Sequence, residues 1–229
     1  MIRRYKPRNV LFFDWSPNFA YAIGLITTDG CLSSDNRHIT FVSKDIEQIG
    51  HMKMIFKIKS SIGYTRNKVS EVYRLHESNT QLYDGLLSIG LTPHKSLTLG
   101  SLEIPEEYFI DFLRGHLDGD GCITTYTDRY NTYKKSAYVY RRIFTTFRSA
   151  SKQHLEWLHQ NIIKVTGIRG AFHTTKIPVG QQNPMHIIKF AKKDSLKLLS
   201  KIYYSENLPC LSRKKQVYTN FLKQLSLRQ

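Results

Sequence analysis

The sequence predicts an α+β (mixed α/β) fold built from two related halves, and three observations support this prediction. Residues 22–32 (AIGLITTDGCL) are echoed by residues 113–123 (LRGHLDGDGCI). Each half has the patterns of helix, two strands, helix, two strands and helix, in that order. The strands come as consecutive hairpins between helices, which favours antiparallel sheets over the parallel sheet of a βαβ protein.

The repeat aligns without a gap. Gly24 matches Gly115 and Asp29 matches Asp120, and each pair is 91 residues apart (115 − 24 and 120 − 29). Two copies at this separation are too few and too distant for a solenoid. We interpret the chain as a pseudo-dimer fused into one polypeptide.

A second echo follows each motif, Thr-Phe-Val-Ser ending at Ser43 and Thr-Phe-Arg-Ser ending at Ser149. The stretch between motif and echo is about 15 residues longer in the second copy (28 − 13 positions), so the halves are not interchangeable. We predict an N-terminal half over residues 1–103 and a C-terminal half over residues 104–229, with the joint near residues 100–106.

The helices have recognisable boundaries. Ser16 as N-cap and Pro17 in the first turn predict the start of the first motif helix, and Gly30 is placed to end it. Residues 104–107 (IPEE) open the second motif helix in the same way, with acidic residues in its first turn. Further helix-like stretches cover residues 46–58 and 152–165.

The strands are predicted from alternating runs rich in β-branched and aromatic residues. These runs cover residues 37–42, 69–75, 139–147 and 186–190. Residues 126–135 are predicted to form a hairpin tip or loop, and residues 180–184 a turn.

The charge balance restricts the class of partner. Lys plus Arg number 34 against 18 Asp plus Glu, giving a net charge of +16. Such an excess favours nucleic acid or an anionic membrane surface as partner. The longest apolar run is far shorter than the roughly 20 residues a bilayer requires, and the basic start lacks the apolar core of a signal peptide. We therefore expect an intracellular protein with no membrane span.

Asp29 and Asp120 fall at the C-terminal ends of the motif helices, where the helix dipole disfavours a carboxylate by ~0.3–1 kcal/mol. Gly24 and Gly115 would let the two helices approach closely. Two carboxylates about 4 Å apart would then repel by ~4 kcal/mol at an effective dielectric of about 20. A divalent metal removes that repulsion, and oxygen ligands indicate Mg²⁺. Two buried core helices alone would explain the motif only up to the aspartates.

Other metal sites are disfavoured. The three cysteines, Cys31, Cys122 and Cys210, form neither a disulfide framework nor a C-x-x-C zinc pair. Residues 118–121 (DGDG) could open a calcium loop, but Cys122 and Arg129 occupy positions that need oxygen ligands. The nine histidines include no H-E-x-x-H motif.

Basic residues that alternate outward from the predicted strands, or lie in the longer hairpin, are candidates to contact a polyanion, although each alone could be part of a solvated face. They are Arg37, Arg66, Lys68, Arg74, Arg141, Lys176 and Lys189, with Lys134 and Lys135 in the hairpin.

Both motifs resemble the nonapeptide that names the LAGLIDADG homing endonucleases. Residues 91–99 (LTPHKSLTL) and 211–215 (LSRKK) are similar to the segments that follow each motif half in that family. The resemblance implies a monomeric, pseudo-symmetric enzyme whose motif helices form the interface and whose two sheets form a saddle over double-stranded DNA. It further implies that Asp29 and Asp120 hold two or three Mg²⁺ ions, with the backbone carbonyls of Thr28 and Gly119 as auxiliary ligands.

The resemblance also implies pocket residues. Lys95 and Lys214 match basic residues that stabilise charge or activate water in this family, although Lys215 could fill the latter role. Ser43 and Lys44 fall where the family often has a polar or basic pocket residue. The copies diverge here, since Ala150 replaces the lysine, and Thr27 replaces the first acid that Asp118 retains. Both departures indicate unequal cleavage of the two strands.

Together these observations predict a Mg²⁺-dependent, site-specific endonuclease that cuts a long asymmetric DNA site, and the resemblance implies that it leaves short 3′ overhangs. The alternative is a non-cleaving nucleic-acid binder, such as an RNA maturase that assists splicing of its host intron. The retained pair Asp29 and Asp120 favours the enzyme, because a maturase has no need of both acids.

Overall fold

The computed structural model describes residues 14–66, 71–130, 133, 139–177, 180 and 182–226. In chain order the helices and strands of the first half are α1 (Pro17–Asp29), β1 (Gly30–Leu32), β2 (His38–Ser43), α2 (Ile46–Ile55), β3 (Gly63–Arg66), β4 (Glu71–Ser78) and α3 (Thr80–Ser88). Those of the second half are α4 (Phe109–Asp118), β5 (Cys122–Asp128), β6 (Tyr140–Ser149), α5 (Lys152–Thr166), β7 (Ala171–Thr174), β8 (His186–Phe190), α6 (Lys192–Ile202) and α7 (Ser212–Ser226).

The described strands form two four-stranded antiparallel sheets of the same topology. The first has the order β1-β2-β4-β3 and the second β5-β6-β8-β7. Each half therefore has the order αββαββα, and the second half adds α7. The α+β class and the pseudo-symmetric order predicted from the sequence are confirmed.

The motif helices α1 and α4 pack against each other through their glycines. A methyl group on Gly24 would lie 2.2 Å from the Phe112 carbonyl oxygen, and one on Gly115 would lie 2.0 Å from the Tyr21 carbonyl oxygen. Only glycine permits this approach, because real Cβ atoms do not come so near a carbonyl oxygen. Ser16 begins α1, since its Oγ accepts a hydrogen bond from the Phe19 amide at 3.2 Å.

Each sheet buries one face against the helices and leaves the other open. In the first sheet Ile39, Phe41 and Leu75 are buried on the helix side. Ile143 and Phe147 take the same role on β6. Because side chains alternate along a strand, the residues between these positions form the second, solvent-facing side of each sheet, which we call the open face.

The end of each half packs on the second helix of the other half. Ser151, the N-cap of α5, donates through Oγ to the Leu99 carbonyl. In the reciprocal contact, Arg213 holds the Asp45 carboxylate with two hydrogen bonds of 3.0 and 2.9 Å at the start of α2. These crossed contacts fix the halves relative to each other around the motif helices.

The structure differs from the sequence prediction at several boundaries. Residues 126–128, predicted as loop, belong to β5, which makes the β5–β6 hairpin longer than expected. The helix predicted over residues 46–58 ends at Ile55, and Lys57 takes a positive φ of 52°. The strands β1, β3 and β7 are three or four residues long, too short for an alternating pattern to reveal them. No helix in the described part of the chain has the length and apolar character needed to cross a bilayer.

Candidate functional site

The two motif aspartates lie together where α1 and α4 end. Asp29 is the last residue of α1, and Asp120 follows α4 by two residues. A methyl group on Gly119 would lie 2.9 Å from Oδ2 of Asp29, so the second motif runs directly against the first carboxylate. Burial and then the charge of Asp120 raise the pKa of Asp29 to about 6. Burial also raises the pKa of Asp120. Two carboxylates are thus held in a partly desolvated site where they disfavour each other's charge.

Two buried lysines cap the helix ends beside these carboxylates. Lys95 donates through Nζ to the Gly30 carbonyl. Lys214 lies within hydrogen-bond distance of four carbonyls, those of Leu117, Asp118, Gly119 and Gly121, at 2.6–3.0 Å. Their positive charges lower the pKa of both aspartates, although burial outweighs them. Cations at helix C-termini also complement the helix dipole.

The structure distinguishes Lys214 from Lys215. Lys214 is buried among the carbonyls at the end of α4, whereas Lys215 donates to the Glu206 carbonyl at 3.1 Å on the exposed surface. Of the two lysines that the sequence left open, Lys214 is the one at the site.

Asp118, the first acid of the second motif, makes hydrogen bonds that join distant parts of the fold. Its Oδ2 accepts hydrogen bonds from the Tyr21 hydroxyl at 3.0 Å and the Leu211 amide at 2.6 Å. Burial raises the pKa of Asp118 to about 6. Thr27, its counterpart, donates to the Ile23 carbonyl of its own helix at 2.8 Å. Asp118 therefore anchors the chain that enters α7, a connection for which Thr27 has no equivalent partner.

A cavity flanks each side of the aspartate pair. The cavity beside Asp120 measures about 450 Å³, and Lys95, Arg148 and Ala150 line it. The cavity beside Asp29 measures about 350 Å³. Its polar lining residues include Ser43, Lys44, Gln48, Asp118 and Arg213. The two cavities occupy equivalent places in the two halves but have different linings.

Two polar pairs next to the cavities were not predicted from the sequence. Beside Asp29, Ser43 donates to Gln48 at 2.6 Å, and Gln48 donates to the Asp118 carbonyl at 2.8 Å. Beside Asp120, His154 must donate through Nδ1 to the Gly100 carbonyl at 3.0 Å, since a carbonyl only accepts. His116 then donates to Nε2 of His154 at 3.1 Å. Burial lowers the pKa of both histidines, that of His154 to about 4.

The donor set at the aspartate pair suits a hard divalent cation. The carboxylates of Asp29 and Asp120 and the carbonyls of Thr28 and Gly119 are all oxygens, the ligands that Mg²⁺ prefers. The described residues contain no cluster of three or more His, Cys, Asp or Glu side chains able to hold a metal. Two carboxylates are nevertheless sufficient for Mg²⁺, which usually keeps several waters and takes further oxygens from a phosphate.

The open faces carry some of the predicted basic residues. Arg74 on β4 and Lys189 on β8 lie on open faces and are exposed, and exposed Lys44 follows β2. Exposed Arg37 lies in the turn before β2, and exposed Lys176 lies just beyond β7. Lys68, Lys134 and Lys135 fall outside the described residues.

The structure corrects the predicted orientation of Arg141 and leaves Arg66 exposed. Arg66 pairs in register with Glu71 and contacts the Glu71 carboxylate at 3.1 Å, with the Arg66 side chain 73% exposed. Arg141 shares the helix side with Ile143 and donates to Gln224 of α7. The open face at this point carries Arg142 instead, a residue that the sequence analysis passed over.

Comparison with solved structures agrees with this architecture. The I-SmaMI meganuclease, solved bound to DNA, matches with a TM-score of 0.60 and 13% identity over 91% of this chain and 90% of that chain. The I-LtrWI LAGLIDADG homing endonuclease, solved bound to target DNA, matches with a TM-score of 0.55 and 11% identity over 92% and 91%. The chain has the LAGLIDADG fold.

The LAGLIDADG fold also occurs in a protein that is not named as an endonuclease. Full-length DUF199/WhiA from Thermatoga maritima matches with a TM-score of 0.53 and 17% identity over 96% of this chain and 70% of that chain. No protein-family model and no curated protein sequence matches this chain. Whether this LAGLIDADG fold supports cleavage therefore depends on the site itself.

Proposed function

We propose that the protein is a Mg²⁺-dependent endonuclease that cuts both strands of DNA at a long asymmetric site. The observation that carries this proposal is the aspartate pair. Asp29 and Asp120 meet in a partly buried site, where their burial and mutual repulsion are unfavourable until a cation is bound. A purely structural motif would not keep that unfavourable pair at the C-termini of two packed helices.

In this proposal the chain's own groups have separate tasks. Asp29 and Asp120, with the carbonyls of Thr28 and Gly119, would hold divalent cations beside the DNA backbone. The chemistry that Mg²⁺ would supply there is neutralisation of phosphate charge and activation of water. Lys95 and Lys214 keep the helix-end carbonyls fixed and hold positive charge beside the pocket. The open faces bind the DNA on either side, leaving one cavity for each strand.

The two cavities support the proposal that the strands are cut at unequal rates. Lys44 and Arg213 line the cavity beside Asp29, whereas Ala150 stands at the position equivalent to Lys44 in the cavity beside Asp120. We further propose that the protein acts inside the cell as a monomer, with residues 1–103 and 104–229 each covering half of the DNA site, and that it leaves short 3′ overhangs.

The second candidate is a nucleic-acid binder without cleavage activity, such as an RNA maturase. The match to WhiA supports this second candidate, because WhiA has the same fold and its name does not describe an endonuclease. The aspartates separate the two candidates, since binding alone does not require a metal between α1 and α4.

The proposal is tested by incubating a randomised duplex library with the protein and Mg²⁺ at pH 8, then sequencing the ends of both strands. We expect cleavage at one related set of sites, lost in Asp29→Asn and Asp120→Asn. Asp194→Asn, in the first turn of α6 and away from the site, is the matched control and should cut like the parent.

Two results would count against the proposal. Equal cutting by the parent and both aspartate variants would remove the catalytic assignment. A parent protein that binds selected duplexes tightly but never cuts them would favour the non-cleaving binder.

A further inference from the structure

The second sheet extends further from the site than the first. Ser43 and Ser149 end β2 and β6 at equivalent places, each two residues before the N-cap of the next helix. From these points β2 runs five residues back to His38, while β6 runs nine residues back to Tyr140. The difference of four residues corresponds to about 13 Å at ~3.3 Å per residue. That distance spans about four base pairs at ~3.4 Å per pair.

The extension consists of residues 140–143 of β6 and residues 125–128 of β5, which pair with them. Aromatic and basic side chains line its open face and continue onto the neighbouring residues Phe144 and Lys189. The rings of Tyr126 and Phe144 stack with centroids 5.9 Å apart, and Lys189 Nζ lies 4.2 Å from the Phe144 centroid. Further out, the guanidinium carbon of Arg142 lies 5.6 Å from the Tyr140 ring centroid. Tyr126 and Tyr140 are 54% and 50% exposed, so their rings face solvent.

Arg142 is held in a defined orientation. Its Nε and Nη2 donate to the same carboxylate oxygen of Asp128, at 3.1 and 2.9 Å. A guanidinium has five N–H donors, so three remain besides the two that hold Asp128 and are available to a base edge or a phosphate. Arg is the commonest reader of guanine in the major groove, and aromatic side chains can contact the methyl group of thymine.

The extension is supported from behind by an element that the first half lacks. Arg141, on the opposite side of β6 from Arg142, donates to Gln224 of α7. Helix α7 also buries Tyr218 and Phe221. The matching segment of the first half, residues 91–103, is fully described and contains no helix. The longer ribbon therefore rests on α7, which can hold it in register along a groove.

From this geometry we infer that the DNA site is asymmetric in length. The half-site under the second sheet is about four base pairs longer than the half-site under the first, and Tyr126, Arg142 and Tyr140, on the open face of the extension, read the additional pairs. This inference rests on the proposed function, since it requires that the open faces bind duplex DNA. It depends on binding alone, so cleavage is not needed to test it.

The test is selection of bound duplexes from a random library in EDTA, followed by a base-by-base specificity profile for the parent and two variants. Arg142→Gln and Arg66→Gln remove the same charge from two strand arginines, but Arg66 lies on β3 of the first sheet, where it pairs with Glu71. We expect a profile that extends about four base pairs further on one side of the centre. Arg142→Gln should lose at least tenfold preference at those outer pairs, while Arg66→Gln leaves them as in the parent.

Tyr126→Ser provides a second variant on the same face and should flatten the profile next to the pairs affected by Arg142→Gln. A profile of equal length on both sides, or outer pairs that Arg142→Gln leaves unchanged, would overturn the inference while leaving the endonuclease proposal intact. Failure of the parent protein to select any duplex would overturn both.

Discussion

Asp29 occupies a position that is unfavourable for a carboxylate until a cation joins it. Its pKa in the folded protein is about 6 because of burial and the neighbouring Asp120, against 3.8 for a free aspartate. A raised pKa means that the folded state binds the proton more tightly than the unfolded chain. Its contribution to stability is therefore fully present below pH ~4 and is lost as the pH rises through about 6.

The direction of this pKa shift leads to the first prediction. In EDTA at pH 8, Asp29→Asn should be more stable than the parent by about 2–3 kcal/mol, because the amide carries no charge to desolvate. Below pH ~4 the two proteins should have the same free energy of unfolding. Urea titrations across this pH range measure the difference. Addition of Mg²⁺ should restore stability to the parent and not to the variant, and a parent that is already the more stable protein in EDTA at pH 8 would contradict the account.

The contacts of Lys214 predict that its replacement lowers the free energy of unfolding, and the neighbouring Lys215 provides a control. Replacement by Met removes the donor shared by four carbonyls at the end of α4 and leaves buried acceptors unsatisfied. We expect Lys214→Met to lose about 2–3 kcal/mol in the free energy of unfolding. Lys215→Met removes the same charge from the surface and should change stability by less than ~0.5 kcal/mol. Equal losses in the two variants, measured by urea unfolding, would show that Lys214 does not hold the helix end.

The sequence predicted the aspartates and lysines of the site more completely than the residues that surround them. Asp29, Asp120, Lys95 and Lys214 could be named because the repeat and the family resemblance assign them by position. Gln48, Arg213 and His154 could not be named. They reach the site through contacts between residues 38 to 168 positions apart, which no local pattern encodes.

At the scale of elements, the packing of α1 on α4 positions both aspartates. Gly115→Ala would place a methyl group 2.0 Å from the Tyr21 carbonyl oxygen, so the helices must separate. We expect a loss of about 3 kcal/mol or more in the free energy of unfolding, since the rigid backbone cannot move aside. Thermal or urea unfolding measures this loss.

Gly50 is the control for this prediction. It lies inside α2, where a methyl group would meet nothing within 4 Å. Gly50→Ala should therefore stabilise the protein by about 0.5–1 kcal/mol through helix propensity alone. If Gly115→Ala behaved like Gly50→Ala, the close packing of the motif helices would be wrong.

Alternation of apolar residues predicted the positions of strands better than it predicted which way their basic side chains face. Alternation predicted β2 and β6 because their apolar residues recur every second position. The same alternation contained the information that Arg141 faces the helices, since it shares parity with buried Ile143 and Phe147. The prediction for Arg141 was wrong because outward alternation was assigned to it without matching its parity to that of the buried residues Ile143 and Phe147.

Part of the net charge of +16 lies on identifiable surfaces of the folded molecule. Arg74, Arg142, Arg148 and Lys189 lie on the open faces of two sheets, on either side of the aspartate pair. If about eight phosphates are neutralised, log K for duplex binding should fall with log salt at a slope of about −7. Fluorescence anisotropy with a selected duplex measures the slope, and Arg74→Gln, on the open face of β4, should reduce its magnitude by about 1. A slope shallower than about −3 would show that the open faces do not bind the phosphate backbone.

The two-half architecture could be predicted because repetition in sequence implies repetition in structure. The asymmetry could be predicted only in part. The additional residues of the second copy were visible, but their incorporation into longer strands supported by α7 depends on contacts such as Arg141 with Gln224, which join distant parts of the chain.

The proposed function depends on Asp29 and Asp120 jointly holding divalent metal. The most direct measurement is the number and affinity of Mn²⁺ ions bound, by electron paramagnetic resonance, in the presence of a selected duplex at pH 8. We expect Asp29→Asn and Asp120→Asn each to weaken Mn²⁺ binding at least tenfold, while Asp194→Asn binds like the parent. Parent-like Mn²⁺ binding by both aspartate variants would contradict it.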